Sequence, residues 1–317
     1  MSDVLSDIFD TIRLRATLYF RTDFSPPWAI TIPTYRHAAR FHLVIKGSCH
    51  FTLANGREHV LGAGDLIVIP GGATHVLSDS PGRTPAPLEQ VIEQSGFDGK
   101  GAFVLGQGDP DAKLQMVCGH FGFTEGADHP LLRALPEVTV LTQAERAGHA
   151  MLDDVLKLLA RRVFAEPPGR KAAVTRLSEV FFIEMIRAAS QQDAELARVM
   201  TAMTDPHVGR ALELIHDDLG KAWSVAVLAD EVGLSRSLFA KRFSELMGTG
   251  PMSYLADWRL QRSLLLLEQP RVSIQQVAHM IGYRSAAAFT RAFSQKFGLS
   301  PSKYRNPGDD NVQGVRK

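Results

Sequence analysis

The 317-residue sequence predicts an α+β protein, with an N-terminal antiparallel β-barrel, a helical connector and an all-helical C-terminal module. Three observations carry this reading. Residues 36–123 hold short apolar runs separated by Gly and Pro; from about Leu141 the apolar positions recur at helical spacing; and the last hundred residues contain an internal repeat. The expected boundaries are 1–140 for the β domain, 141–206 for the connector, 207–306 for the repeat module and 307–317 for a tail.

In the β domain the runs are Phe41 to Ile45, Cys49 to Leu53, Glu58 to Leu61, Asp65 to Ile69, Gly101 to Leu105 and Leu114 to Phe123. Asn55-Gly56 between the second and third is a strong hairpin signal, read here as a type I′ turn with positive φ at both positions. Short strands closed by Gly and Pro turns argue for an antiparallel barrel or sandwich.

The connector reads as two helices, Ala144 to Phe164 and Val174 to Ser190, broken at Pro167-Pro168-Gly169. In the second, Val174, Leu177, Phe181, Met185 and Ala188 share a face. That stripe serves either a helical hairpin packed within its own subunit or a dimerisation surface.

Composition bounds the rest. Hydrophobic residues make up 45% and charged residues 22%, the balance of a chain that buries sizeable cores. No apolar run approaches the roughly 20 residues that cross a bilayer, and the first residues lack the basic start and cleavage site of a secretory signal. Two cysteines, Cys49 and Cys118, exclude a disulfide framework. A cytoplasmic protein with no membrane partner is expected. Residues 207–307 hold 13 Lys/Arg against 8 Asp/Glu, and residues 1–206 hold 20 against 24. A basic module beside an acidic remainder suits a nucleic-acid reader fused to another domain.

The repeat is the informative feature. Its first copy contains Leu228-Ala229-x-x-x-Gly233, Phe239-x-x-x-Phe243, Gly248, Pro251 and Tyr254; its second contains Val277-Ala278-x-x-x-Gly282, Phe289-x-x-x-Phe293, Gly298, Pro301 and Tyr304. The small Ala lets one helix approach the next, and the Gly supplies the turn. Ser235 and Ser285 stand as N-caps, and each Phe pair turns one face into a core. Arg236, Ser237, Lys241 and Arg242 remain on a polar, cationic face. A helical solenoid would need about three copies; two copies around a continuous helix, Met252 to Gln269, make a double helix-turn-helix.

These motifs, with Ser273 to Ala278, Gly282-Tyr283 and Gly298 to Arg305, resemble the DNA-binding domain of the AraC/XylS family over residues 207–306. The resemblance implies seven helices, two of them entering successive major-groove segments, with the linking helix setting their separation. It places Arg236, Ser237, Ala240 and Lys241 against base edges in the first unit, beside Ser235 and Arg242. In the second it places Ala287, Ala288 and Arg291, with Ser285 and Thr290 nearer phosphates. Ala286-Ala287-Ala288 offers only methyl groups, so the second unit is expected to position more than it reads, Arg291 excepted.

Gly64-x5-Pro70-x-Gly72-x-x-His75-x3-Asp79 resembles the second motif of cupins, and Gly47 fits the end of the first. Arg40 stands where the acidic ligand of the first motif would be, and its paired histidines are missing. The resemblance implies a sensor barrel. Candidate metal ligands are His42, His75, Cys118 and His120, a set suited to structural zinc, with Cys118 and His120 on one strand face. The alternatives are a hydrogen-bonded His75, a core Cys118, or a Cys49 or Cys118 redox sensor, which needs an accessible low-pKa thiolate. His37, His50 and His59 read as surface or strand residues.

The combined reading is a transcription factor, not an enzyme. It pairs as a homodimer on double-stranded promoter DNA, is controlled by a small molecule, metal or redox effector, and has RNA polymerase as a partner. The competing reading is a cupin-type metalloenzyme, dioxygenase-like, fused to a DNA-binding module.

Overall fold

The computed structural model describes residues 3–35, 38–99, 101–106, 113–163 and 168–306; His37 and the 307–317 tail lie outside them. The chain packs as two compact units that do not follow its linear order. The first helix, α1 (Val4–Ile12), belongs with the C-terminal helices.

The β unit comprises Leu14–Glu125 and Leu135–Ala194. Its strands are β1 (Arg15–Phe24), β2 (Ala29–Ile32), β3 (Ala38–Lys46), β4 (Cys49–Leu53), β5 (Glu58–Leu61), β6 (Leu66–Ile69), β7 (His75–Ser78) and β8 (Ala86–Pro87). After α2 (Leu88–Ser95) come β9 (Ala102–Leu105), β10 (Gln115–Gly122) and, beyond α3 (Pro130–Arg133) of the other unit, β11 (Thr139–Leu141). They form two sheets, β11-β6-β3-β10-β1-β9 and β5-β4-β7-β2-β8. The expected all-antiparallel barrel is corrected in two respects. No closed ring of strands is formed among the described residues, and β1 with β9 and β2 with β8 pair in parallel.

The apolar runs of the sequence meet in one core. Phe24, Val44, Ile67, Met116 and Cys118 of one sheet and Ile30, Phe51, Leu53 and Leu77 of the other share one core. Asn55-Gly56 does make a hairpin between β4 and β5, but not a type I′ turn. Only Gly56 has positive φ, +82°, while its N–H donates to Leu53 O and Leu53 N–H donates to Arg57 O, both at 2.9 Å. One left-handed residue closing a type I turn is the three-residue hairpin geometry.

The connector helices are α4 (Gln143–Arg146), α5 (Ala150–Val163) and α6 (Arg170–Ala189). The stripe on α6 is packed within the subunit: Phe181 and Phe182 lie 5.1 and 4.6 Å from the rings of Phe41 and Phe121 on β3 and β10.

The helical unit gathers the described residues of 1–13, 126–134 and 195–317. Its helices continue as α7 (Ala194–Thr204), α8 (Val208–Asp217), α9 (Val225–Glu231), α10 (Arg236–Met247), α11 (Pro251–Leu267), α12 (Ile274–Met280), α13 (Ala286–Phe297) and α14 (Pro301–Arg305). Seven helices, α8 to α14, fill residues 208–305. Serine side chains cap α9, α10, α12, α13 and α14 by accepting a backbone N–H, and Gly248 and Gly298 end α10 and α13 in the left-handed conformation. The two copies share an aromatic arrangement. Phe239 and Phe243 meet edge to face at 5.8 Å with Tyr254 on Phe243, and Phe289 and Phe293 meet at 5.5 Å with Tyr304 on Phe293.

Candidate nucleic-acid interface and enclosed cavity

Burial of the Phe pairs decides which face of each second helix stays outward. On α10, Arg236, Ser237 and Lys241 are exposed and Ala240 is half-buried; Ser235 caps the helix, its Oγ accepting from Leu238 N–H at 3.4 Å. On α13, Ala287 and Arg291 are exposed, Ala288 and Thr290 are half-buried, and the Ser285 Oγ accepts from Ala288 N–H at 3.2 Å. The cap serines are thus committed to their own helices through one acceptor lone pair, and their hydroxyl hydrogens point elsewhere.

Arg242 is set apart from the other cations. Its Nε and Nη2 donate to both oxygens of Asp205 at 2.5–3.2 Å, and Asp205 is buried. Burial would raise the Asp205 pKa. The Arg242 hydrogen bond and the N–H groups of Val208 and His207 outweigh it and hold the carboxyl at about 2. Arg242 therefore ties α10 to the turn before α8, work the sequence pattern does not reveal. Two exposed residues escaped the sequence reading, Arg284 before the α13 cap and Gln295 at the next step of four beyond Ala287 and Arg291. Continuing that step along the helix finds Gln295.

In the β unit a cavity of about 230 Å³ is walled by Phe24, Ile30, Ile32, Leu77, Phe103 and Met116. Its polar lining includes Thr22, Tyr35, Arg40, His42 and Cys118, and Glu89 of α2 is exposed at its edge. Arg40 is 3% exposed and lies over the Tyr35 ring at 4.2 Å. An arginine cannot discharge, so this wall is permanently cationic.

Three of the four candidate metal ligands meet behind that wall. His42 Nδ1 is 3.1 Å from Cys118 Sγ, His42 Nε2 is 2.9 Å from His75 Nε2, and His75 Nδ1 is 2.8 Å from Ala73 O. The carbonyl fixes the tautomers. His75 Nδ1–H donates to it, His42 Nε2–H donates to His75, and the Cys118 thiol donates to His42 Nδ1. Burial holds His42 well below the usual imidazole range and His75 down at about 4, while burial raises both thiols, Cys49 to about 12. The chain is neutral and its donors lie on two sides of the His42 ring instead of converging. Among the described residues no group of three or more His, Cys, Asp or Glu is placed to hold a metal ion. His120 faces Arg40 across β3 and β10, half-buried near Tyr35, and stands outside the hydrogen-bonded chain.

Two family models match the sequence, one described as Cupin over residues 3–191 and one as Helix-turn-helix domain over 228–307. The HTH-type transcriptional regulator AlkR of Acinetobacter baylyi is 33% identical over 96% of this chain and 99% of its own. The HTH-type transcriptional regulator MtrA of Neisseria gonorrhoeae is 26% identical over 96% and 99%. A solved DNA-binding domain of AdpA, in complex with a target DNA, is 32% identical over 32% of this chain and 90% of its own, with a TM-score of 0.30.

Proposed function

Since the chain belongs to the AraC-type helix-turn-helix transcriptional regulators with an N-terminal cupin domain, we propose that its cavity receives the controlling signal as a small, largely apolar molecule. The observation that carries this is the largely apolar cavity against a neutral hydrogen-bonded His75–His42–Cys118 chain, with the Arg40 guanidinium in its lining. Both thiols are buried and held protonated, which favours a bound molecule over an oxidised cysteine as the signal. The same donor set does not suit closed tetrahedral zinc.

DNA is read by the outward faces of α10 and α13. Arg236, Ser237, Ala240 and Lys241 meet base edges and phosphates in one half-site; Ala287, Ala288 and Arg291 face the other, with Ser235, Ser285 and Thr290 toward phosphates. Arg242 contributes through its tie to Asp205. The regulator works as a cytoplasmic homodimer with RNA polymerase as partner. Met151 and Leu158, one heptad apart on α5, and Val180 on α6 are exposed and suit the dimer contact. Among the described residues no helix is long and apolar enough to cross a membrane.

The test fills the cavity. Ile32→Trp should abolish the melting-temperature rise that a library of small apolar compounds gives the wild-type chain. It should leave binding to promoter DNA intact. A compound that stabilises both proteins equally binds elsewhere and sinks the cavity reading.

A further inference from the structure

The helical unit contains two pieces that the repeat does not predict: α1 and residues 126–134. Both are held by side chains belonging to the DNA reader. His129 Nδ1 accepts from Leu131 N–H at 3.1 Å, so its Nε2–H donates to Tyr254 Oη at 3.1 Å. The Tyr254 hydroxyl then donates to His216 Nε2 at 2.6 Å, and His216 Nδ1–H donates to Asp7 Oδ2 at 2.7 Å. Asp7 Oδ1 accepts from Arg262 at 3.1 Å, and Arg262 also donates to Thr11 Oγ1 at 3.0 Å. One directional chain of hydrogen bonds thus runs from the 126–134 segment through α11 and α8 to α1.

The same two pieces reach the second copy. Gln261, in the middle of α11 and buried, donates to Gly126 O at 2.9 Å and accepts from Asp128 N–H at 3.1 Å. Lys296 of α13 donates to Asp128 at 3.0 Å and to Asp257 of α11 at 2.6 Å. Arg13, just past α1, pairs with Glu268 at the end of α11. Contacts to Tyr254 and His216 belong to the first copy; contacts to Lys296 and Glu268 lie at the second.

We infer that α1 and residues 126–134 form a brace across the two helix-turn-helix copies, with Asp7, Asp128 and His129 as positioning residues for DNA reading. Two recognition helices on one chain gain from each other only when their separation matches the groove repeat of about 34 Å. A flexible α11 would let each half-site bind alone and forfeit the effective concentration of the second. The brace holds α11 toward both ends, through charged and buried polar groups that are restrictive in direction.

The test uses the full chain and the duplex it selects from a random-sequence library. The Asp7→Ala/Asp128→Ala variant should bind that duplex about tenfold more weakly, the worth of one lost charge-assisted contact. Affinity for a duplex carrying one half-site should stay unchanged. Preference for native spacing over duplexes with one or two inserted base pairs should shrink. Asp7→Asn, which retains the acceptor for His216, should recover part of the loss. If the double variant fails to fold, Asp128→Ala alone carries the same expectation, since that carboxylate is 36% exposed. Equal losses on one-site and two-site duplexes, or unaltered spacing preference, would overturn the brace.

Discussion

In the first copy of the repeat Tyr254 is fully buried, lies against Phe243, and places its hydroxyl between His216 and His129. Its counterpart Tyr304 packs on Phe293 in the same way but is half-buried, at the end of the described chain. The outward faces of α10 and α13 differ in the opposite sense. The first presents Arg236, Ser237 and Lys241, whereas the second presents Ala287, Arg291 and Gln295, with Arg284 just before its cap. One scaffold has thus been loaded twice, with a fully buried tyrosine hydroxyl and more exposed polar groups on the second helix in the first copy, and a half-buried tyrosine in the second. Identical landmarks specify the fold of a helix-turn-helix unit; the residues between them specify what it buries and what it presents outward.

Removing the hydroxyl oxygen from each tyrosine in turn separates the two copies. Tyr254→Phe leaves His216 Nε2 and the His129 N–H buried without their partner and should cost about 2–3 kcal/mol. Tyr304→Phe, where solvent reaches the site, should stay within about 0.5 kcal/mol. Urea unfolding of both variants measures the difference. Equal costs would mean that the buried chain contributes nothing beyond what the two tyrosines have in common.

The second contrast concerns the outward faces. Arg291 is the exposed cation within α13, so Arg291→Ala should cost about 1–3 kcal/mol in DNA affinity and relax base preference across one half-site. Arg236→Ala should cost less, because Ser237 and Lys241 share its surface. Arg242→Gln should behave unlike either, lowering melting temperature through the loss of the Asp205 tie. Selection from random duplexes, repeated with each variant, checks all three. A drop in specificity for Arg242→Gln at unchanged melting temperature would return that residue to the reading face.

Much of this was legible in residue spacing, and the misses have a common physical cause. Serine caps, left-handed glycines and i, i+4 Phe pairs are local, so the repeat announces the helical unit. Gly282 illustrates the limit. Its φ of +79° was expected from the turn, but a Cβ there would also fall 2.6 Å from Leu219 O, a constraint no local pattern contains. Arg242 reads as one more cation of a basic face because Asp205, its partner, lies 37 positions upstream. His42, His75 and Cys118 were singled out together, yet their spacing cannot tell converging ligands from a hydrogen-bonded chain; the Ala73 carbonyl decides that. Asp7, His129 and His216 carry no motif at all, and Tyr254 marks the repeat without naming the partners of its hydroxyl. Their meeting depends on chain separations of up to 209 residues.

Acid should distinguish the copies as well. Burial lowers the pKa of His129, with His216 and Arg133 adding to the effect. Burial also lowers that of His216; there the hydrogen bond and charge of Asp7 pull upward, Arg262 downward and Asp217 upward, with Tyr254 completing its contacts. Both imidazoles are neutral in the folded chain and take up protons more readily when unfolded, where the ordinary value is about 6.5. Their contribution is complete above that pH and is lost as pH falls toward the lowered folded values, by up to about 1.4 kcal/mol per pH unit for each. Amide-exchange protection of α8 and the first turns of α11 should therefore fall more between pH 7 and pH 5 than that of α13. His42 and His75 give the β unit its own acid response, so the amides must be read helix by helix. Parallel loss of protection in α8 and α13 would show that the buried chain is not what acid releases.

A smaller change is expected from adding a cation to the outward face of α13. Ala287 is exposed one turn before Arg291, and its methyl group offers no hydrogen bond. Two roles remain for it, clearance over a phosphate-facing helix or contact with a thymine methyl. Ala287→Lys separates them. If α13 chiefly positions, the new ammonium displaces a counterion: affinity rises severalfold at low salt, the gain fades as salt increases, and the logarithmic salt slope steepens by about one. Lys241→Ala in the first copy should flatten that slope by a similar amount. If the methyl instead meets a base edge, the bulkier side chain displaces it. Affinity for the selected duplex then falls while affinity for random DNA rises. That outcome would make α13 a reader by shape and methyl contact, and would remove the proposed division between a reading copy and a positioning copy.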